Sequence, residues 1–364
     1  METTVRDIAE GLTSQHWQVE VLCAHTERGT VRESGAIPVT RLGSVSEVAS
    51  TSLTPSLFGE LRRRQRHNDV VHVHLPNPMA NLALLLTRPQ AKVVVHWHSD
   101  IVKQKRLLKL YAPVQEWLLK RADAILATSP PYAQSSPWLQ PHMHKVHFVP
   151  SCIRDPEQTV ASADRQSRAA AVRAKFPGKK LVFALGRMTY YKGFDVLVAA
   201  ARDLDDDTLV LLGGKGELLD RLKAQARALG VDKKVRFLGR VEDEDLPGYY
   251  EAANVFCLPS LMRSEAFGLV MVEAMSYRKP VVATRIPGSG VTWVNIHGET
   301  GLNAEPGDAA DLARTLKELL VDSERARALG EGGRRRFEQN FTLDKMIGAI
   351  ADVYARIGIA APRD

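Results

Sequence analysis

Ser264-Glu-Ala-Phe-Gly-Leu-Val-Met-Val-Glu-Ala-Met-Ser-Tyr-Arg-Lys-Pro-Val-Val-Ala-Thr284 is the stretch whose reading decides the fold. Two carboxylates, Glu265 and Glu273, stand eight residues apart in it. Val270, Met271, Val272, Ala274 and Met275 predict a mostly buried helix. Gly268 just before them predicts a loop opening into a helix N-terminus. Free backbone N–H groups there favour an anion or sugar hydroxyls. Lys279-Pro280 ends the helix, because proline cannot donate to it, and Val281, Val282 and Ala283 predict a short buried strand. One acid therefore sits at the helix mouth and the other two turns along.

Upstream of this unit the same alternation repeats. Strands are expected at 181–185, 209–212, 235–238 and 255–258, with helices at 194–201, 218–229 and 246–253. After it come Gly298-Glu-Thr-Gly301-Leu302 and two closing helices, 307–320 and 344–357. The first half reads alike. Strands are expected at 19–23, 37–42, 70–75, 93–98, 124–128 and 146–149, and helices at 4–13, 57–64, 81–86 and 102–121. Strands alternating with helices predict parallel, doubly wound sheets. Residues 151–178 are polar apart from a helix around 163–176 and are expected to be a linker. The chain thus reads as two doubly wound halves with a crevice between them.

The helix at 4–13 has no strand before it. In a doubly wound half the first strand lies centrally. The first sheet is therefore expected to have an open slot at its centre, wide enough for one strand and its loop, about 15–20 residues.

Length and composition set outer bounds. A chain of 364 residues, 45% hydrophobic and 25% charged, is long enough for two ordinary globular domains. No apolar run reaches the ~20 residues that span a bilayer, and the N-terminus is not that of a signal peptide. Cys23, Cys152 and Cys257 form no metal-like spacing and are expected to be buried free thiols in a reducing cytosol. The net charge of +7 permits an anionic partner without choosing one. No nucleic-acid-binding module is visible, and no nucleic acid is expected as a partner.

Ligands of open parallel sheets bind outside the carboxyl ends of strands. In the second half every chemically suggestive residue falls there. Gly186-Arg187 and Lys192-Gly193 follow one strand: the cations suit a diphosphate, but taken alone they read better as a solvated basic turn. Gly213-Gly-Lys-Gly216 opens a helix but is not a Walker A loop. Asp203-Leu-Asp205 and Asp205-Asp-Asp207 sit at the opposite end, between a helix and a strand start, and read as a solvated turn. No metal ligand is expected. In the first half, His96 reads as a core histidine satisfied by backbone, and His72 and His74 as either structural or lining an acceptor. The helix 102–121 carries Lys103, Lys105, Arg106, Lys109, Lys120 and Arg121 among Leu107, Leu108, Leu110, Val114 and Leu118. It reads as an ordinary amphipathic surface helix, or as a contact for anionic lipid to which Arg62–Arg64 and Arg66 add.

The whole string from Glu265 to Ala283 resembles the Glu-x7-Glu signature of retaining glycosyltransferases of family 4. Gly-Arg-x4-Lys-Gly likewise resembles that family's diphosphate clamp. The resemblance implies the B-type fold: α/β, with two Rossmann-like doubly wound domains facing across a cleft, the first lacking its first strand. The expected division is 1–150 for the acceptor side, 151–178 for the linker, 179–340 for the nucleotide-sugar side, and 341–364 for a helix returning to the first domain. The resemblance gives catalytic roles to Arg187, Lys192, Glu265 and His98. It assigns Gly186, Gly213, Gly216, Arg240, Val241, Phe267, Gly268, Leu269 and Glu273 to the donor. Glu273 would take the ribose hydroxyls, Glu265 the donor sugar, and Phe237-Leu-Gly-Arg240-Val241 the base. His98 would reach the sugar from the first domain. No cofactor is implied beyond a nucleotide-diphosphate sugar as donor, and the partner is a glycan or polyprenyl-linked glycan acceptor. The setting is bacterial polysaccharide assembly in the cytoplasm, with a peripheral membrane contact through 102–121. Two segments depart from the family pattern, Pro150-Ser151-Cys152 and Gly288-Ser289-Gly290-Val291-Thr292. Two other readings stand beside this one: a glycosidase using the two glutamates, and a nucleotide-binding partner subunit without turnover.

Overall fold

The computed structural model describes residues 2–48, 51–101 and 105–362. The chain divides into two compact units, Met1–Ser151 with Leu343–Asp364, and Cys152–Thr342. None of the described helices is long and apolar enough to cross a membrane.

The first unit contains β1 (Val21–His25), β2 (Thr30–Glu33), β3 (Val39–Gly43), β4 (Ser46–Val48), β5 (Thr51–Leu53), β6 (Val70–Leu75), β7 (Lys92–Trp97), β8 (Ala124–Ala127) and β9 (Val146–Phe148). β6-β7-β8-β9 form a wholly parallel sheet. β1 and β3 pair in parallel, β2 adds antiparallel to β3, and β4 and β5 make a hairpin. β1 pairs only with β3 and β6 only with β7, so the other edge of each carries no strand among the described residues. The parallel strands of the first unit thus fall in two separate sheets, β1-β3-β2 and β6-β7-β8-β9, where one sheet with an open slot was expected. The starts of the two edge strands are tied by Glu20, which takes Arg64 Nη1 at 2.5 Å and Asn68 Nδ2 at 2.8 Å. β2 gave no signal because all four of its residues are exposed. The helix Leu343–Arg356 belongs to this unit and packs on the helix Glu2–Ser14. Its Met346, Ile347, Ile350, Val353 and Tyr354 are buried at the helical spacing that one apolar face requires.

The second unit contains β10 (Lys180–Leu185), β11 (Thr208–Gly213), β12 (Val235–Gly239), β13 (Val255–Leu258), β14 (Val281–Thr284) and β15 (Gly301–Ala304). All pair in parallel in the order β12-β11-β10-β13-β14-β15. Their continuous apolar runs follow from burial on both faces. Val182, Ala184, Val210, Leu212, Val255 and Cys257 enter one core, and Leu181, Phe183, Leu209, Leu211, Phe256 and Leu258 the other. Strand order reverses direction at β10. From there the chain builds outward through β11 and β12, then returns to β13 on the other side.

Three sequence expectations need correction. The stretch 151–178 is not a free linker. It carries the helix Ser162–Ala174, whose Ala169 and Val172 enter the second core, and it belongs to the second unit from Cys152 onward. A long helix, Ser323–Asn340, was not expected, because Gly330, Gly332 and Gly333 interrupt its pattern. The glycines are there for close approach. A Cβ at Gly330 would lie 2.1 Å from the Arg278 carbonyl oxygen, and one at Gly332 only 1.9 Å from that of Glu299. All three cysteines are free thiols, with Cys152 and Cys257 buried and Cys23 half-buried rather than buried.

Candidate active site

The loops that leave the carboxyl ends of the second unit's strands are laced to one another by backbone. Gly186 N donates to Gly213 O at 3.1 Å and Met188 N to Lys215 O at 2.9 Å, joining the loops after β10 and β11. Gly214 N donates to Gly239 O at 2.6 Å, adding the loop after β12. Leu261 N donates to Tyr191 O at 2.8 Å, adding the loop after β13. Gly193 makes that last approach possible. It is left-handed, with φ of 65°, and a Cβ there would stand 2.0 Å from the Pro259 carbonyl oxygen. This is the switch point of the sheet, where open α/β sheets take their ligands.

Two residues predicted from separate loops meet here. Lys192 Nζ donates to Glu265 Oε2 at 2.6 Å, and both residues are 8% exposed. Ser260 Oγ donates to the same carboxylate oxygen at 2.9 Å. Ser289 Oγ donates to the Glu265 carbonyl, and Gly290 N to that of Ala266 at 2.9 Å. The segment that departs from the family pattern thus braces the backbone of the acid.

The helix opens as predicted, spanning Leu269–Ser276 behind a left-handed Gly268. The N–H groups of Phe267, Gly268 and Leu269 have no partner among the described residues, so the helix mouth presents open donors. The Phe267 ring is core, packed edge-on to Phe341 at 5.8 Å. Glu273 lies in the same helix and accepts from Tyr250 OH. Burial raises its carboxyl above the usual range and Asp243 adds to this, against the opposing Tyr250 hydrogen bond and Lys192 charge. The two glutamates have separate partners, and neither carboxylate contacts the other. Arg187 is exposed and has no ion-pair partner among the described residues. Arg240 is exposed as well, and pairs with Glu242 at 3.1 Å. Val241 packs beside Gly213, where a Cβ would lie 3.0 Å from its methyl.

The family model for glycosyl transferases group 1 matches residues 166–336, and that for a glycosyl transferase 4-like domain matches residues 1–152. The chain belongs to the group 1 glycosyl transferases. This glycosyltransferase is 34% identical over 311 residues to an O-antigen chain mannosyltransferase C of Escherichia coli, covering 85% of this chain and 81% of that one. It is 34% identical over 296 residues to D-rhamnosyltransferase WbpZ of Pseudomonas aeruginosa, covering 81% and 76%. Sucrose-phosphate synthase of Thermosynechococcus elongatus superposes with a TM-score of 0.77 at 23% identity, covering 97% of this chain and 92% of that one. The fold is the B-type, with two Rossmann-like units. Membership in this family decides for a transferase over a glycosidase.

In the glycosyltransferase's first unit, His98 follows β7, and its Nε2 lies 2.9 Å from His74 Nδ1. Burial, helped by His74, pushes His98 down to about 3, so its imidazole is neutral. His96 corrects the sequence reading. It is fully buried, but neither ring nitrogen has a hydrogen-bond partner.

The acids at 203–207 lie at the amino end of the second sheet, and each is in an ion pair. Arg202 takes Asp203, Lys317 takes Asp205, Lys234 takes Asp206 and Lys180 takes Asp207, at 2.8–3.2 Å. On the basic helix, Lys103 lies outside the described residues. Lys120 is paired to Glu116, and Arg121 is used internally on Asp123 and the Pro89 and Ala91 carbonyls. Lys109 and Leu110 are exposed.

Sequence reasoning missed Tyr250, Ser260 and Ser289. Ser260 ends a strand in the right place and could have been weighed. Tyr250 and Ser289 reach their glutamates across gaps of more than twenty residues, which no local pattern reveals.

Proposed function

We propose that the chain is a retaining, metal-independent glycosyltransferase acting in bacterial surface-polysaccharide assembly. It moves a hexose-type sugar from a nucleotide-diphosphate sugar to a hydroxyl of a lipid-linked glycan acceptor. The observation that carries this reading is the buried Lys192–Glu265 pair beside the open N–H groups of Phe267, Gly268 and Leu269, at the switch point of the second unit. Two relatives support the class of product, being named for mannosyl and D-rhamnosyl transfer.

In this reading Lys192, with Arg187 from the same loop, stabilises the charge that develops on the departing diphosphate, which is electrostatic catalysis. Glu265 turns to the donor sugar's hydroxyls when Lys192 engages the diphosphate. Glu273 accepts the ribose hydroxyls, and His98 serves the donor sugar as a neutral imidazole. The leaving phosphate takes the acceptor's proton, so no protein base is required. Metal-independence draws support from the two cations at the diphosphate position and from the placement of the Asp-rich turn at the other end of the sheet. The enzyme works in the cytoplasm, at the membrane face where a lipid-linked acceptor lies, and the exposed Lys109 and Leu110 contribute to that contact.

The test is release of nucleoside diphosphate from a panel of nucleotide sugars, mannose and D-rhamnose donors among them, with a lipid-linked glycan acceptor and no added divalent ion. A product with inverted anomeric configuration would refute retention. A second expectation concerns pH. Tyr250→Phe removes a hydrogen bond that favours ionised Glu273, so the carboxyl rises further and protonates at higher pH. The acid limb of kcat/KM for the donor should move to higher pH, with kcat at saturating donor little changed. An unmoved limb would remove Glu273 from donor binding.

A further inference from the structure

Four histidines stand on one face of two neighbouring strands in the first unit. His72 and His74 alternate along β6, His96 lies on β7 in register with His74, and His98 follows two residues later. Their rings form a stack, with centroids 4.9 Å apart for His72–His74 and for His74–His96, and 4.5 Å for His96–His98. Three buried nitrogens in this stack have no partner: both of His96 and Nε2 of His72. Each unpaired buried polar atom costs about 1–3 kcal/mol, so three together call for a ligand.

We propose that His72, His74 and His96 bind a borderline divalent transition-metal ion of the zinc type, as a structural site adjoining His98. One ring nitrogen of each lies within 4.8 Å of the others. In His72 and His74 the other ring nitrogen is already anchored, as those of metal-ligating histidines are. His72 Nδ1 lies 2.7 Å from Tyr354 OH, and His74 Nδ1 lies 2.9 Å from His98 Nε2. If each Nδ1 carries the proton, Nε2 of both rings is left as a lone pair, and the outer partners fix the tautomer.

Three neutral imidazoles without a carboxylate suit zinc, cobalt or copper, and not magnesium or calcium. Metal–nitrogen bonds of about 2.0–2.1 Å require the three atoms to draw in to about 3.4 Å. The rings of His72 and His74 are within 4° of parallel, so they must swing out of the stack on loading. Rotation about the terminal torsion of histidine, which is soft, supplies that movement. A loaded site would tie β6 and β7 together and, through Tyr354, hold the helix Leu343–Arg356. This departs from the expectation of no metal ligand anywhere in the chain. It leaves the diphosphate chemistry metal-free.

The experiment titrates the metal-stripped full chain with Co²⁺ and follows the visible ligand-field bands. The expected result is one Co²⁺ per chain, displaced by Zn²⁺ with loss of colour. His96→Gln should abolish stoichiometric binding. Tyr354→Phe should weaken it about 10–100-fold, as loss of an outer partner does. No ligand-field band on the wild type, or a band unchanged in His96→Gln, overturns the proposal. If His96→Gln does not fold, electron paramagnetic resonance of the Cu²⁺-loaded wild type counts the coordinated imidazoles: three support the site, and fewer overturn it. None of these readouts depends on sugar transfer, so failure here leaves the proposed activity standing.

Discussion

Replacing Lys192 with alanine should lower turnover about 10²–10³-fold, the usual loss when one preorganised donor to developing charge is removed. It should also destabilise the second unit by about 3–5 kcal/mol, because Glu265 would keep a buried charge with only Ser260 to answer it. The two effects can be separated. Lys192→Met/Glu265→Gln removes both charges and should recover most of the stability, measured by urea unfolding, while turnover stays low. If turnover returned with stability, Lys192 would be structural only. If Lys192→Ala were as active as the wild type, the assignment of this loop to the diphosphate would fail.

Arg334→Ala should cost the second unit about 3–5 kcal/mol with little direct effect on chemistry, since it breaks a buried pair on one side. Arg334 reaches Asp155 with two nitrogens, at 2.8 and 2.6 Å, and the side chains are 6% and 8% exposed. It also bonds Glu338 and the Ser276 carbonyl. The pair joins the segment after Ser151 to the helix Ser323–Asn340, which is why that segment is not a free linker.

The sign of its pH dependence follows from Asp155. Burial alone would raise its carboxyl, but the Arg334 hydrogen bonds, the Glu157 N–H and the Arg334 charge hold it below the usual range. A depressed carboxylate contributes stability above its unfolded value, about 3.9, and loses it as pH falls through the lower folded value. Acid unfolding of Arg334→Ala should therefore be flatter below about pH 4 than that of the wild type. Equal acid slopes would mean that Asp155 is not held by Arg334.

Legibility in the sequence followed how local the physics is. The unit Ser264–Thr284 could be read because its helix, its stop at Lys279-Pro280 and its buried strand are all set by neighbours in sequence. Lys192 and Glu265 were each legible as site residues, but their direct pairing was not, because it depends on β10 and β13 lying side by side. The helix Ser323–Asn340 stayed hidden because its glycines serve packing against Arg278 and Glu299, and propensity reads them as breakers. His96 was misread for a related reason. A strand residue in an apolar run looks satisfied, and only the placement of β6 beside β7 shows that its ring is stacked among other imidazoles and its nitrogens lack partners.

The most direct test of the central claim is release of nucleoside diphosphate by the wild-type chain from the nucleotide-sugar panel, with acceptor and without added divalent ion, beside binding of the free nucleoside diphosphate. The account predicts binding, release from at least one donor, and loss of release in Lys192→Ala. Binding without release from any donor would support the partner-subunit reading in place of an enzyme. Absence of binding would contradict the site built on Lys192, Glu265 and Glu273.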